Sequence, residues 1–199
     1  MAAPFDFVET VVAARDLVVT RAGAHVCRVE PRPSDHSAES PEAELGWFCD
    51  LDDGTPTGEN DPASHVRWVC PSLRLGESGT GAGPLVGVSR RGPQSDLARL
   101  AGRLGLGSRR GSPRAGSDEG PFVYTDPERV LDDDLRHRIE HWPPARHGDG
   151  VVRPAELSSI KRTREGLVVE SVSWWDSAAA LDHQIALAID LAGRLAARR

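Results

Sequence analysis

Apolar positions change their period several times along this chain, and each change predicts an element. Val8, Val11 and Val12 recur at helical spacing, so Phe5 to Ala14 reads as a short helix with these valines turned inward. DLVVTR and AHVCRVE follow as runs of strand formers on either side of Ala22-Gly23, a hairpin pattern. The breaker-rich segment Pro31 to Glu44 predicts a loop, LGWFCDL a strand, and DDGTPTGENDPAS a second loop. HVRWVCPSLRL then reads as a strand ending near Pro71, whose missing N–H donor suits an edge. Gly79 to Pro84 punctuate the chain before LVGVSR, and Ser95 can cap a helix carrying Leu97, Leu100 and Leu104.

The second half repeats the alternation of periods. After PFVY, Thr125 or Asp126 can cap a helix with Pro127 in its first turn and Glu128 three residues after Thr125. Leu131, Leu135, Ile139 and Trp142 share one face, and Asp132–Arg136 and Asp134–Arg138 stand at i,i+4 on the other, before Pro143-Pro144 stops the helix. Two strand-like runs around Arg164-Glu165-Gly166 predict a hairpin in which Val168 and Glu170 point opposite to Leu167, Val169 and Ser171. A final helix from Asp176 to Arg198 gathers Leu181, Ile185, Ala188, Ala192 and Leu195 on one side, widened by Leu187, Ile189 and Leu191. His183, Asp190 and Arg194 lie on the other side. The expected class is α+β, predominantly antiparallel strands packed with several helices, including a long C-terminal helix. Three parts follow: residues 1–104, β-rich with short helices; 105–120, a flexible linker or loop without periodicity; and 121–199, an α+β part sharing one core with the first.

Charge is segregated more than its net value of -6 implies. From Glu30 to Asp61 ten acidic residues face only Arg32, whereas Val86 to Arg114 carries seven arginines against Asp96 alone. Lys161 is the chain's one lysine. The start MAAPFDFVET has no basic n-region before an apolar run, and no stretch approaches the ~20 apolar residues that span a bilayer, so the expectation is a cytoplasmic protein with no membrane span. Cys27, Cys49 and Cys70, an odd set in apolar contexts, fit reduced, buried thiols.

Candidate chemistry is sparse. The seven histidines form no HExxH and join no Cys-x-x-Cys, although His137 and His141 share a helical face; no metal site and no cofactor is expected. His25 and His65 each precede a cysteine-bearing strand, which opens a Cys–His nucleophile reading if the fold brings them together. DLDDGTPTGEND departs from a calcium loop at its fifth, sixth and twelfth positions, and the glycine-rich GESGTGAGP and GLGSRRGSP lack the order of a phosphate-binding loop. Arg90, Arg91, Arg109 and Arg110 are the candidate anion contacts, but without interleaved aromatics in an acidic chain they make nucleic acid a disfavoured partner.

Adjacent Trp174 and Trp175 cannot both point inward from one strand, so one of them is expected at an interface together with His183, Asp190 and Arg194 of the last helix. The leading expectation is a non-catalytic protein-interaction, adaptor or structural component of a larger assembly, its partner another protein or a second copy. The main alternative is a small hydrolase or transferase built from scattered His, Cys and Asp residues. A nucleic-acid-binding accessory protein is the third class. No catalytic residue and no small-molecule ligand is identified by the sequence.

Overall fold

A computed structural model describes residues 6–22, 26–32, 45–52, 64–75, 85–90, 121–143, 145–146, 152–153, 156–173 and 178–198. The elements are α1 (Asp6–Arg15), β1 (Leu17–Ala22), β2 (Val26–Pro31), β3 (Phe48–Asp52), β4 (Ser64–Cys70), β5 (Gly87–Arg90), β6 (Phe122–Thr125), α2 (Asp133–Glu140), β7 (Ala145–Arg146), β8 (Val152–Arg153), β9 (Glu156–Arg162), β10 (Leu167–Ser173) and α3 (Ala178–Ala196). Eight strands form one antiparallel sheet in the order β1-β2-β3-β4-β10-β9-β5-β6, and β7 and β8 pair separately. The fold is therefore α+β, with three α-helices among the described residues.

The first four strands follow one another as a meander, and the late hairpin β9–β10 is inserted between β4 and β5. β10 lies along the whole of β4, from Leu167 opposite Cys70 to Ser173 opposite Ser64. Strands from early and late in the chain thus hydrogen-bond to each other in the middle of one sheet. The expected linker 105–120 and the Ser95 helix fall outside the described residues.

Strand alternation sorts side chains onto two faces. One face carries Cys27 and Val29 of β2, Cys49 and Leu51 of β3, Val66, Trp68 and Cys70 of β4, Val169 of β10 and Ile160 of β9, all buried in one cluster with α1, α2 and α3. Val8 and Val11 of α1 enter this core, as their spacing predicts, and Trp68 stacks on Trp47 with ring centroids 6.1 Å apart. From α3 come Leu181, Ile185, Leu187, Ala188, Leu191, Ala192 and Leu195, and the helix packs on β4 and β10 with α1 and α2 beside it. Each fully buried leucine or isoleucine contributes about 1.5–3 kcal/mol. α3 spans 19 residues and ends at Ala196, two residues short of the Arg198 read from periodicity, while Asp176 and Ser177 lie outside the described residues.

One polar side chain enters the apolar seam between helix and sheet. Gln184 of α3 is fully buried; its amide donates to the carbonyls of Val66 on β4 and Val169 on β10, both at 3.2 Å, and its Oε1 accepts from Ser171 Oγ at 2.6 Å. Ser171 stands at a bulge, because β9 pairs Ser159 with Glu170 and then Leu157 with Ser171, leaving Ser158 unmatched.

Two local departures from the expected pattern have physical causes. Asp126 does not cap a helix. Its carboxylate accepts from Val130 N and Leu131 N at 2.7 and 2.8 Å and closes a turn in which Arg129 takes φ 52°, so α2 begins only after Asp132, whose side chain accepts from Leu135 N at 3.0 Å. Asp132 consequently pairs with Arg194 of α3, while the other expected pair, Asp134–Arg138, is present at 3.9 Å. β4 ends before Pro71, which opens a short 3-10 turn, Pro71–Leu73, but it is not the edge strand expected there: it lies between β3 and β10, and Pro71 falls just past its last ladder residue, where no N–H is needed.

The β9–β10 turn is locked onto that same region. Thr163 N donates to Gly166 O at 2.8 Å, Leu75 N donates to Thr163 O at 2.8 Å, and buried Arg162 donates from Nε to Leu73 O at 2.7 Å. Gly166 adopts φ 138°, and a Cβ there would sit 2.2 Å from the Cys70 carbonyl oxygen. Both the backbone conformation and the space require glycine. Gly166→Ala should therefore destabilise the fold by about 3 kcal/mol or more. A urea titration checks this; an unchanged midpoint would contradict the register of β10 on β4.

Candidate functional site

The face of the sheet turned away from the three helices is built from the alternate residues of the same strands. Register aligns them into rows that run across the sheet. Arg28 of β2 stands opposite Asp50 of β3, Asp50 opposite Arg67 of β4, Arg67 opposite Glu170 of β10, and Glu170 opposite Ser159 of β9. Arg28 grips Asp50 through both carboxylate oxygens, Nε to Oδ1 at 2.5 Å and Nη2 to Oδ2 at 2.7 Å, with its guanidinium 4.1 Å above the ring of Phe48. Arg67 bonds Glu165 in the β9–β10 turn and lies 3.6 Å from Glu170. Glu170 also accepts from Ser159 Oγ at 2.7 Å and from Lys161 Nζ at 3.0 Å.

Electrostatics keeps this row charged. Burial pushes the Glu170 carboxyl up, but hydrogen bonds from Ser159 and Lys161 and the charges of Lys161 and Arg67 outweigh it, leaving its pKa below the ordinary value. The hydrogen bond that Arg28 donates to Asp50 likewise raises the Arg28 pKa. Side chains of the row keep between 30 and 37% of their surface exposed, so their charges remain reachable from solvent. In the adjoining row Asp52 stands opposite His65, both exposed. Val69 and Val168, also on this face, are buried yet stand apart from the main core cluster.

The cysteine–histidine reading fails geometrically at His65. Cys27, Cys49 and Cys70 all face the helix-covered core, whereas His65 of β4 points to the opposite face. Burial, and secondarily the charge of Asp50, pushes the Cys27 and Cys49 thiols up, which disfavours the thiolate that nucleophilic attack needs. Cys70 donates from Sγ to Leu45 O at 3.2 Å. His25 lies outside the described residues, as does His147. His137 and His141 stack with ring centroids 3.9 Å apart, and among the described residues no group of three or more His, Cys, Asp or Glu side chains is placed to hold a metal ion.

The residues expected at an interface divide into two groups. Trp174 and Trp175 lie outside the described residues. His183, Asp190 and Arg194 line the seam between α3 and α2, and each has a partner there within the chain: His183 Nε2 donates to Arg138 O at 2.9 Å, Asp190 accepts from Arg138, and Arg194 bonds Asp132. Arg198 extends the seam with a bond to Glu128 O at 2.7 Å. Of the candidate anion contacts, Arg90 is exposed at the end of β5, and Arg91, Arg109 and Arg110 lie outside the described residues. The charged row across the face opposite the helices escaped the sequence reading. Its signal on β2, β3 and β4 is a charged residue between apolar neighbours, as in Cys27-Arg28-Val29, Cys49-Asp50-Leu51 and Val66-Arg67-Trp68, but the alignment of these charges needs the register.

No family model, curated protein or solved structure matches the chain. Among the described residues no helix is long and apolar enough to cross a membrane.

The α2–α3 seam makes stability depend on pH. Desolvation lowers the His183 pKa below its ordinary value, helped by the Arg138 charge and opposed by the hydrogen bond to Arg138 O and by Asp182. Its edge-on contact with Trp142, centroids 4.9 Å apart, is part of that enclosure. The unfolded chain binds the proton first as pH falls, so stability is full above about pH 6.5 and declines below it towards the lowered folded value, with a slope of at most about 1.4 kcal/mol per pH unit. Urea titrations at pH 7.5 and 5.5 should show a larger loss for the native chain than for His183→Leu; equal losses would contradict the neutral, enclosed imidazole.

Proposed function

We propose that this protein is a non-catalytic protein-binding component, an adaptor or structural subunit of a larger assembly, which works through the charged row on the sheet face opposite the three helices. The observation that carries the reading is the row Arg28–Asp50–Arg67–Glu170, ordered by strand register, held by mutual ion pairs and partly exposed on rigid strands. Fixed charges of this kind contribute orientation and discrimination between partners more than raw affinity. The alternation of sign also favours a protein surface over a nucleic acid, since a phosphate backbone asks for a track of one sign. Glu170, held ionised, suits recognition better than proton transfer at neutral pH. Three buried cysteines without a disulfide between them accord with a reducing compartment, and we propose a cytoplasmic location.

Lys161, the only lysine of the chain, lies on the same face beside Glu170 with 51% of its side chain exposed. It offers a single side-chain anchor for amine-reactive cross-linking. A tagged full-length chain in native lysate should retain a stoichiometric protein, a further copy of itself included, at low and at moderate salt, and cross-linking should join that protein through Lys161. Folded bait with no reproducible partner, or a partner that never cross-links through Lys161, would overturn the reading.

A further inference from the structure

α2 carries a pair of metal-ligating groups that the charged row does not use. His137 and His141 stand at i,i+4 on this helix, so their side chains leave neighbouring turns on one face, and both are exposed. Their rings stack with centroids 3.9 Å apart and planes 29° from parallel. We propose that these two imidazoles chelate a late first-row divalent transition cation such as Zn²⁺. The inference stands apart from the protein-binding reading and uses none of its residues.

A metal ligand must present a bare nitrogen, and hydrogen bonding decides which ring nitrogen that is. The carbonyl of His137 accepts from the His141 backbone N–H at 2.9 Å and from His141 Nδ1 at 2.9 Å. A carbonyl oxygen can only accept, so the proton sits on Nδ1 and the Nε2 of the neutral ring keeps its lone pair. Metal-bound histidines have the same support, the second ring nitrogen donating to a carbonyl or a carboxylate. Among the described residues no hydrogen bond engages the His137 ring, which rests on that of His141.

The backbone beneath the pair is fixed. Leu135 and Ile139 are buried and anchor α2 in the core, and Trp142, directly after His141, meets His183 of α3 edge-on with centroids 4.9 Å apart. Chelation then requires only side-chain rotation. A tetrahedral zinc ion roughly 2.0 Å from each nitrogen sets the two nitrogens roughly 3.3 Å apart, a separation close to that of the stacked rings. Two imidazoles suit zinc, nickel and copper ions, whereas calcium and magnesium call for oxygen ligands. No third His, Cys, Asp or Glu among the described residues is placed to complete the set, so water fills the remaining positions and the ion exchanges readily.

Isothermal titration calorimetry of the full chain, its thiols reduced, should show Zn²⁺ binding that Mg²⁺ does not reproduce. His137→Ala and His141→Ala should each weaken it by roughly a hundredfold, the advantage that a second ligand on one rigid support brings. His65→Ala, which removes an exposed histidine elsewhere, should leave it unchanged. Affinity should fall as pH is lowered, because protons compete for the ligand nitrogens. Zn²⁺ should also raise the urea midpoint of the native chain and not that of the double variant, since the two rings are held together only while α2 is folded. A native chain that binds no Zn²⁺ at millimolar concentration would overturn the proposal. Binding and stabilisation that persist in a double variant with the native far-ultraviolet circular dichroism spectrum would overturn it equally.

Discussion

The seating of α3 on the sheet governs the rest of this structure, and one buried amide fixes it. An apolar helix face on an apolar sheet face can slide by a turn at modest cost, because leucine and alanine contacts are interchangeable. Gln184 removes that freedom: its donor and acceptor are satisfied only where the carbonyls of Val66 and Val169 and the hydroxyl of Ser171 converge. Any other seating leaves a buried amide without partners, a penalty of about 1–3 kcal/mol. The strands so joined, β4 and β10, come from distant parts of the chain, so the same amide that positions the helix also reports that the central strand pair is in register.

Placement of the helices on one side determines what the other side can be. Core residues of β2, β3, β4, β9 and β10 are drawn towards α3 and its neighbours, and the alternation of the strand leaves their charged neighbours on the opposite face. There they form ion pairs across strands, at intermediate exposure, where such pairs order a surface without adding much to stability. The polar edge of α3 behaves differently. Arg15 bonds Asp182, Arg138 bonds Asp190 and Arg194 bonds Asp132, so the charges flanking the apolar stripe tie α3 to α1 and α2. The opposite sheet face, rather than the α3 edge, is where charged residues pair on a side that the three described helices do not cover.

Local signals carried much of this fold, and non-local ones carried the remainder. The valines of α1, the β9–β10 hairpin at Gly166 and the apolar stripe of α3 are legible because each pattern is complete within one short segment. The start of α2 was misread because Asp126 and Asp132 are both good caps, and only the turn at Arg129, with its positive φ, decides between them. Insertion of β9–β10 between β4 and β5 has no local signature at all. The charged row depends on that insertion, since Arg67 and Glu170 become neighbours only when β10 lies beside β4. His65 and Cys70 share β4, yet the odd spacing between their positions puts them on opposite faces.

The central claim is that the three helices seal one face of the sheet, and the native cysteines test it without any substitution. Cys27, Cys49 and Cys70 all lie on the sealed side and are buried. Alkylation of the folded, full-length chain under native conditions, followed residue by residue by mass spectrometry, should modify all three only as fast as the protein unfolds, with the three rates rising together as urea is added. Rapid modification of any one of them in the absence of urea would contradict the account.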